Sequence, residues 1–179
     1  VHTVAIPAPG SPVVEAIRTK LADPAFRQGP TAEDLSALVA FYNSLGDAVW
    51  MTDMGFSSEG QAAMDEILKA DDWGLSSSAF DLPSAGDLPD SVEKQAIGEI
   101  KLDLAILKYA RYARGGRTDP DKLKNVDMTP TFRDPKAVLT EVAAASEPDV
   151  YLQSLHPKHE QFQRLHQALL KARAASEAY

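Results

Sequence analysis

The chain has 179 residues, 44% hydrophobic and 25% charged, with a formal net charge of −8 and no cysteine. This is globular composition, long enough to bury a core unaided, and the missing cysteine excludes disulfides, thiolate zinc sites and a cysteine nucleophile within these residues. Charge is uneven: residues 1–90 carry 4 basic and 14 acidic side chains and residues 91–179 carry 14 and 12, so no concentrated basic face argues for nucleic acid.

Residues 1–10, VHTVAIPAPG, read as an extended lead-in, and the chain from 11 to 179 reads as a single helical domain. No leader pattern is visible, and a start at Val1 reads as a trimmed product. No stretch approaches the roughly 18 continuous apolar residues of a membrane span. Helix starts are marked by Pro at the first helical position behind a capping side chain, at Ser11-Pro12, Asp119-Pro120 and Asp134-Pro135. Glu147-Pro148 and His156-Pro157 repeat the device with poorer caps.

The first helix is expected over about 12–22. A second opens at Thr31, with Asp34 in an approximate capping box, Leu35, Leu38, Val39 and Tyr42 at helical spacing, and Gly46 placed to close it. DAVWMTDMGF, 47–56, is the one stretch that reads as short extended structure and turn. A third helix starts near Ser58, with Gln61 at the box position, Met64, Ile67 and Leu68 on its buried side, and Gly74 as its C′ residue. Residues 75–90 form a polar loop.

The longest helix follows, over about 91–114. It carries two apolar stripes, Ile97-Ile100-Leu104-Leu107 and Leu102-Ile106-Tyr109, and burial on two sides makes it the central helix. Val138, Leu139 and Val142 mark a further helix, and Phe162, Leu165, Leu169 and Leu170 the last. Strand signals are almost absent. The expected fold is all-α, an irregular helical bundle around the 91–114 helix.

YARYARGGRTDPDKL, 109–123, carries three arginines, Arg111, Arg114 and Arg117. Each has a structural reading: Gly115-Gly116 stops the long helix, Arg111 and Arg114 face the negative end of its dipole, and Asp119-Pro120 restarts a helix. The functional reading is an anion-binding cluster of the three, without any Gly-rich phosphate fingerprint. His156, His159 and His166 lie near Glu160, but without a His-x-x-x-His or His-Glu-x-x-His spacing, so no metal and no cofactor is expected. Paired carboxylates such as Glu33-Asp34, Asp65-Glu66 and Asp71-Asp72 are neighbours in sequence and point apart on a helix. No Gly-x-Ser-x-Gly marks a serine nucleophile. Trp50 and Trp73 read as core residues before they read as sugar-stacking platforms.

The same segments resemble the scaffold domain of murein L,D-transpeptidases. In that family a helix ends in Arg-Tyr, then Gly-Arg and Pro, matched here by Arg111, Tyr112, Gly116, Arg117 and Pro120 with a slightly shortened spacing. A later Leu-x-Pro-x-His-x-x-Tyr is matched by Leu155, Pro157, His159 and Phe162, with Phe in place of Tyr. Upstream, Phe41, Tyr42, Trp50, Asp53, Ala70, Asp71, Gly74, Leu75 and Phe80 fall where the family shows an aromatic pair, a Trp, an acidic turn and Ala-Asp-x-x-Gly-Leu before an aromatic. The resemblance covers roughly residues 31–175. The family's catalytic module carries a His-Gly-Cys-Arg type motif, which has no counterpart here. The resemblance therefore implies a non-catalytic, periplasmic scaffold that supports a catalytic transpeptidase module of the same polypeptide and helps seat peptidoglycan. The alternative is a stand-alone all-α protein-interaction module.

Overall fold

The computed structural model describes residues 10–28, 30–83, 90–114 and 133–178. The expected lead-in, the Gly115-Gly116 stop, Arg117 and the Asp119-Pro120 start lie outside the described residues, apart from Gly10. The fold is all-α, with one two-residue hairpin. The helices are α1 (Pro12–Ala22), α2 (Ala32–Ser44), α3 (Ser58–Leu68), α4 (Val92–Ala113), α5 (Pro135–Ala144), α6 (Pro148–Ser154) and α7 (Glu160–Glu177). Short 3₁₀ turns occur at Phe26–Gln28, Ala70–Trp73 and Ser77–Ala79.

The helix starts follow local chemistry. The side chains of Ser11, Thr31, Ser57, Ser91 and Asp134 each accept the backbone N–H three residues on, satisfying amides that the first turn leaves free. The cap of α3 is thus Ser57, one residue before the expected start. The α2 helix ends at Ser44 rather than at Gly46. Glu147 gives α6 no side-chain cap. His156-Pro157 starts no helix: the His156 N–H closes the end of α6 on the Gln153 carbonyl, its ring turns inward, and α7 begins only after His159.

The strands β1 (Met51–Thr52) and β2 (Gly55–Phe56) pair antiparallel, Met51 against Phe56 and Thr52 against Gly55. Two glycines are required by geometry. A Cβ on Gly60 would lie 2.6 Å from the Trp50 carbonyl oxygen, so only Gly lets α3 approach the hairpin. Gly74 has φ +74°, the left-handed conformation that ends the 70–73 turn.

The central helix is α4. It packs on α1, α2, α3, α5, α6 and β1, while α2 pairs with α5 and α3 with α6. Ile100, Leu102, Ile106, Leu107 and Tyr109 are buried in one connected hydrophobic cluster that runs from Val14 to Leu155, whereas Ile97 and Leu104 are half-buried. The last helix departs from expectation. None of its described residues is buried, Phe162, Leu169 and Leu170 are only half-covered, and Leu165 is 70% exposed. Its main neighbour is the 70–73 turn rather than α4.

Candidate functional site

Polar chemistry gathers at two places along α4. Around its midpoint, Glu99 and Asp103 lie one turn apart on the buried side, both fully covered. The Glu99 carboxylate accepts the backbone N–H groups of Val49 (2.5 Å), Trp50 (2.9 Å) and Met51 (2.9 Å), and the Tyr42 hydroxyl is 3.0 Å away. Asp103 accepts Trp50 Nε1–H at 2.7 Å and is also hydrogen-bonded to the Tyr42 hydroxyl. Tyr42 has one hydrogen and reaches two carboxyls, so one of those contacts uses a proton held by a carboxyl. Burial, and then the charge on Glu99, raises the Asp103 pKa well above the usual carboxylate range, so Asp103 is the acid that keeps it. Burial also raises Glu99, but its amide donors pull the other way. Burial pushes Tyr42 well above the ordinary phenol value, so it stays neutral. Closed to solvent and fully partnered, this group pins the segment leading into the hairpin to the central helix. It has no path to a substrate.

The other place is the end of α4, where the sequence put its candidate ligand residues. Arg111 turns back to α2 and pairs with the buried Asp34 at 2.6 Å. It lines a cleft of about 500 Å³ with Lys101, Lys108, Asp81 and an apolar floor that includes Phe26 and Leu104. The other cations of that cleft are engaged too. Lys101 lies 3.7 Å from Asp81, and Lys108 donates to the Ala79 carbonyl beside the rings of Phe80 and Tyr112. Arg114 lines a different cleft, of about 560 Å³, with Arg133, Lys158, His159, Leu155 and Pro157 among its walls. The two arginines therefore serve separate surfaces, and Arg117 lies outside the described residues. Sequence reading missed Arg133 and Lys158, which reach the cleft from α5's lead-in and the α6–α7 connection.

Between these clefts and α7 lies an aromatic stack. Trp73 is sandwiched between His156 (ring centroids 4.0 Å apart, 5° between planes) and His166 (3.8 Å, 10°). The His156 Nε2 is 2.6 Å from the Tyr109 hydroxyl, and Glu66 accepts from Trp73 Nε1 (3.3 Å) and Gln153 (3.1 Å). Burial, and then the neighbouring His166, lowers His156 to about 4, so it is neutral near pH 7. Both faces of Trp73 are thus covered and Trp50 is buried, which leaves neither free to stack on a sugar. Of the three histidines near Glu160, His156 and His166 are ring-packing groups, and His159 is exposed at the start of α7. Among the described residues no group of three or more His, Asp or Glu is placed to hold a metal ion. No helix among the described residues is long and apolar enough to cross a membrane.

Of the residues that carry the sequence resemblance, Arg111 and Tyr112 lie at the end of α4 and Leu155 to Phe162 run from the end of α6 into α7. A family model described as "Scaffold domain" matches residues 36–169, from within α2 to within α7. The chain belongs to this scaffold-domain family. No curated protein and no solved structure matches it.

Proposed function

We propose that the chain is the non-catalytic helical scaffold of a periplasmic, cell-wall L,D-transpeptidase, carrying a catalytic module that belongs to the same polypeptide. The observation that carries the reading is the ordered set of motifs, Phe41-Tyr42, Trp50, Ala70 to Leu75, Arg111-Tyr112 and Leu155 to Phe162, within a chain of the scaffold-domain family. The absence of cysteine supports a silent role, since the transpeptidase nucleophile is a thiolate. The structural chemistry is consistent with support: the buried acids are consumed in holding a loop.

Two measurements test it. Intact-mass analysis after incubation with a carbapenem is expected to find no adduct, and a stoichiometric adduct sinks the silent role. The coding sequence flanking these residues is expected to encode a Cys-bearing transpeptidase module, and its absence on both sides overturns the reading. The second reading, a stand-alone interaction module, is favoured by one feature. Helix α7 keeps Leu165 70% exposed and buries no residue on the bundle.

A further inference from the structure

We infer that the cleft between the end of α4 and the start of α7 is a binding site for a short peptide bearing a free carboxylate. The cleft measures about 560 Å³, within the range of small-ligand pockets. Among the described residues its walls carry Arg114, Arg133, Lys158 and His159 and no carboxylate, in a protein whose net charge is −8. Such a concentration of cations costs self-repulsion and needs a reason.

The arginines differ in how they are engaged. Arg133 pairs with Glu141, which also accepts the Tyr151 hydroxyl at 2.7 Å, so its guanidinium is held in place. Arg114 Nε is buried and has no hydrogen-bond partner among the described residues. That Nε–H is closed to solvent, so a ligand in the cleft would meet Arg114 through its terminal amino groups, and a bidentate carboxylate is the group that matches that fork. The His159 side chain gives α7 no cap bond, so the positive end of that 18-residue helix adds to the same field. Leu155 and Pro157 supply apolar wall for the peptide body. The neighbouring cleft differs in that its cations face acids: Arg111 holds Asp34, whose second oxygen is itself buried without a hydrogen-bond partner, and Lys101 faces Asp81.

The site stands whether or not a transpeptidase module is attached, so its failure and the failure of the scaffold reading are separate results. The test titrates the ¹⁵N-labelled chain with N-acetyl-dialanine as the free acid and as its C-terminal amide. The acid is expected to give saturable shifts at the backbone N–H signals of Arg114, 154–156, Lys158 and His159, in about the millimolar range, and the C-terminal amide none. The double change Arg114→Gln, Lys158→Gln is expected to weaken binding about tenfold or more with an unchanged melting temperature. Lys158→Gln alone, at an exposed residue, is expected to weaken it about threefold and serves if the double variant does not fold. Equal binding of acid and amide, unchanged binding by the folded variants, or saturable binding of inorganic phosphate without binding of the peptide acid overturns the site.

Discussion

The middle and the end of α4 treat charge in opposite ways. Around its midpoint two carboxyls are sealed inside: both Glu99 oxygens and Asp103 Oδ1 accept N–H groups from residues 49–51, and the proton held by Asp103 goes to the Tyr42 hydroxyl. At its far end, cations stand at the walls of open clefts, and one of them leaves a guanidinium N–H without an acceptor. A buried polar group that is completely satisfied belongs to the architecture; a partly satisfied one at an opening is available to a ligand. Titratable residues alone do not mark function. Access and unused bonding capacity do.

The sharpest way to break this contrast is at Glu99. Changing Glu99→Ala strips the acceptor from three backbone amides and leaves them buried, at an expected cost of more than about 3 kcal/mol in chemical denaturation. A loss below about 1 kcal/mol would mean that the 49–51 segment finds other partners and that the pin is incidental.

Next in size is the hydrophobic side of the same helix. Leu107 is fully inside the cluster and Leu104 only half so, although both belong to one stripe in the sequence. Leu107→Ala is expected to cost about 2–5 kcal/mol and Leu104→Ala clearly less, because the transfer and cavity penalties scale with what is buried. Equal losses at the two positions would place the helix at a different rotation.

The acids themselves respond differently to pH. The carboxyl of Asp103 has its folded-state pKa raised above the unfolded value, so the folded state holds a proton that the unfolded chain releases. Its contribution is fully present below about pH 4, the unfolded carboxyl value, and falls as pH rises toward the raised one. His156 acts from the other side. Its folded value, about 4, lies below the ordinary one of roughly 6.5, so stability falls as pH drops through that interval. Asp103→Asn keeps the shape and a donor for Tyr42 without the titration. Melting temperatures across pH 4–8 are expected to flatten on the alkaline side in this variant, with an acidic fall that remains until His156 is also replaced. A variant whose profile matches the parent's would assign the buried proton elsewhere.

The smallest effect is expected at the surface. Arg164 and Glu160 pair one turn apart on α7, with about three quarters of each side chain exposed. Replacing Arg164→Ala is expected to change stability by less than about 0.5 kcal/mol. A larger loss would show that α7 is seated by more than its ring contacts.

Local chemistry carried much of the fold into view. Ser11-Pro12, Thr31, Ser91 and Asp134-Pro135 announce their helices because a cap is a contact within three residues, and the double stripe of α4 records burial on two sides. The extended reading of 47–56 matches the hairpin, and Gly74 is left-handed as expected but closes the 70–73 turn rather than α3, which ends at Leu68. What was hidden depends on partners distant in sequence. Glu99 and Asp103 look like ordinary helix-surface acids until the amides of 49–51 and the ring N–H of Trp50 arrive from elsewhere. Their one signal is an i, i+4 spacing on the side that carries Ala96, Ile106 and Ala110, all buried. Arg111 and Arg114 share a helix end but are drawn to different neighbours, one by Asp34 on α2, the other toward the α6–α7 connection. The apolar letters of α7 suggested a buried face, but a helix of such polar average composition has too few of them to enter the core.

The way α7 is attached has a consequence for its motion. The helix is held by Trp73 lying between two imidazoles, by Arg173 at 3.2 Å from Asp72, and by half-covered leucines, not by side chains sunk in the core. Lifting it off breaks ring contacts and one exposed ion pair while leaving the α1–α4 packing whole. Its backbone amides are therefore expected to exchange with deuterium through local opening, at a free energy well below that of global unfolding, while the amides of α4 exchange only when the whole bundle comes apart.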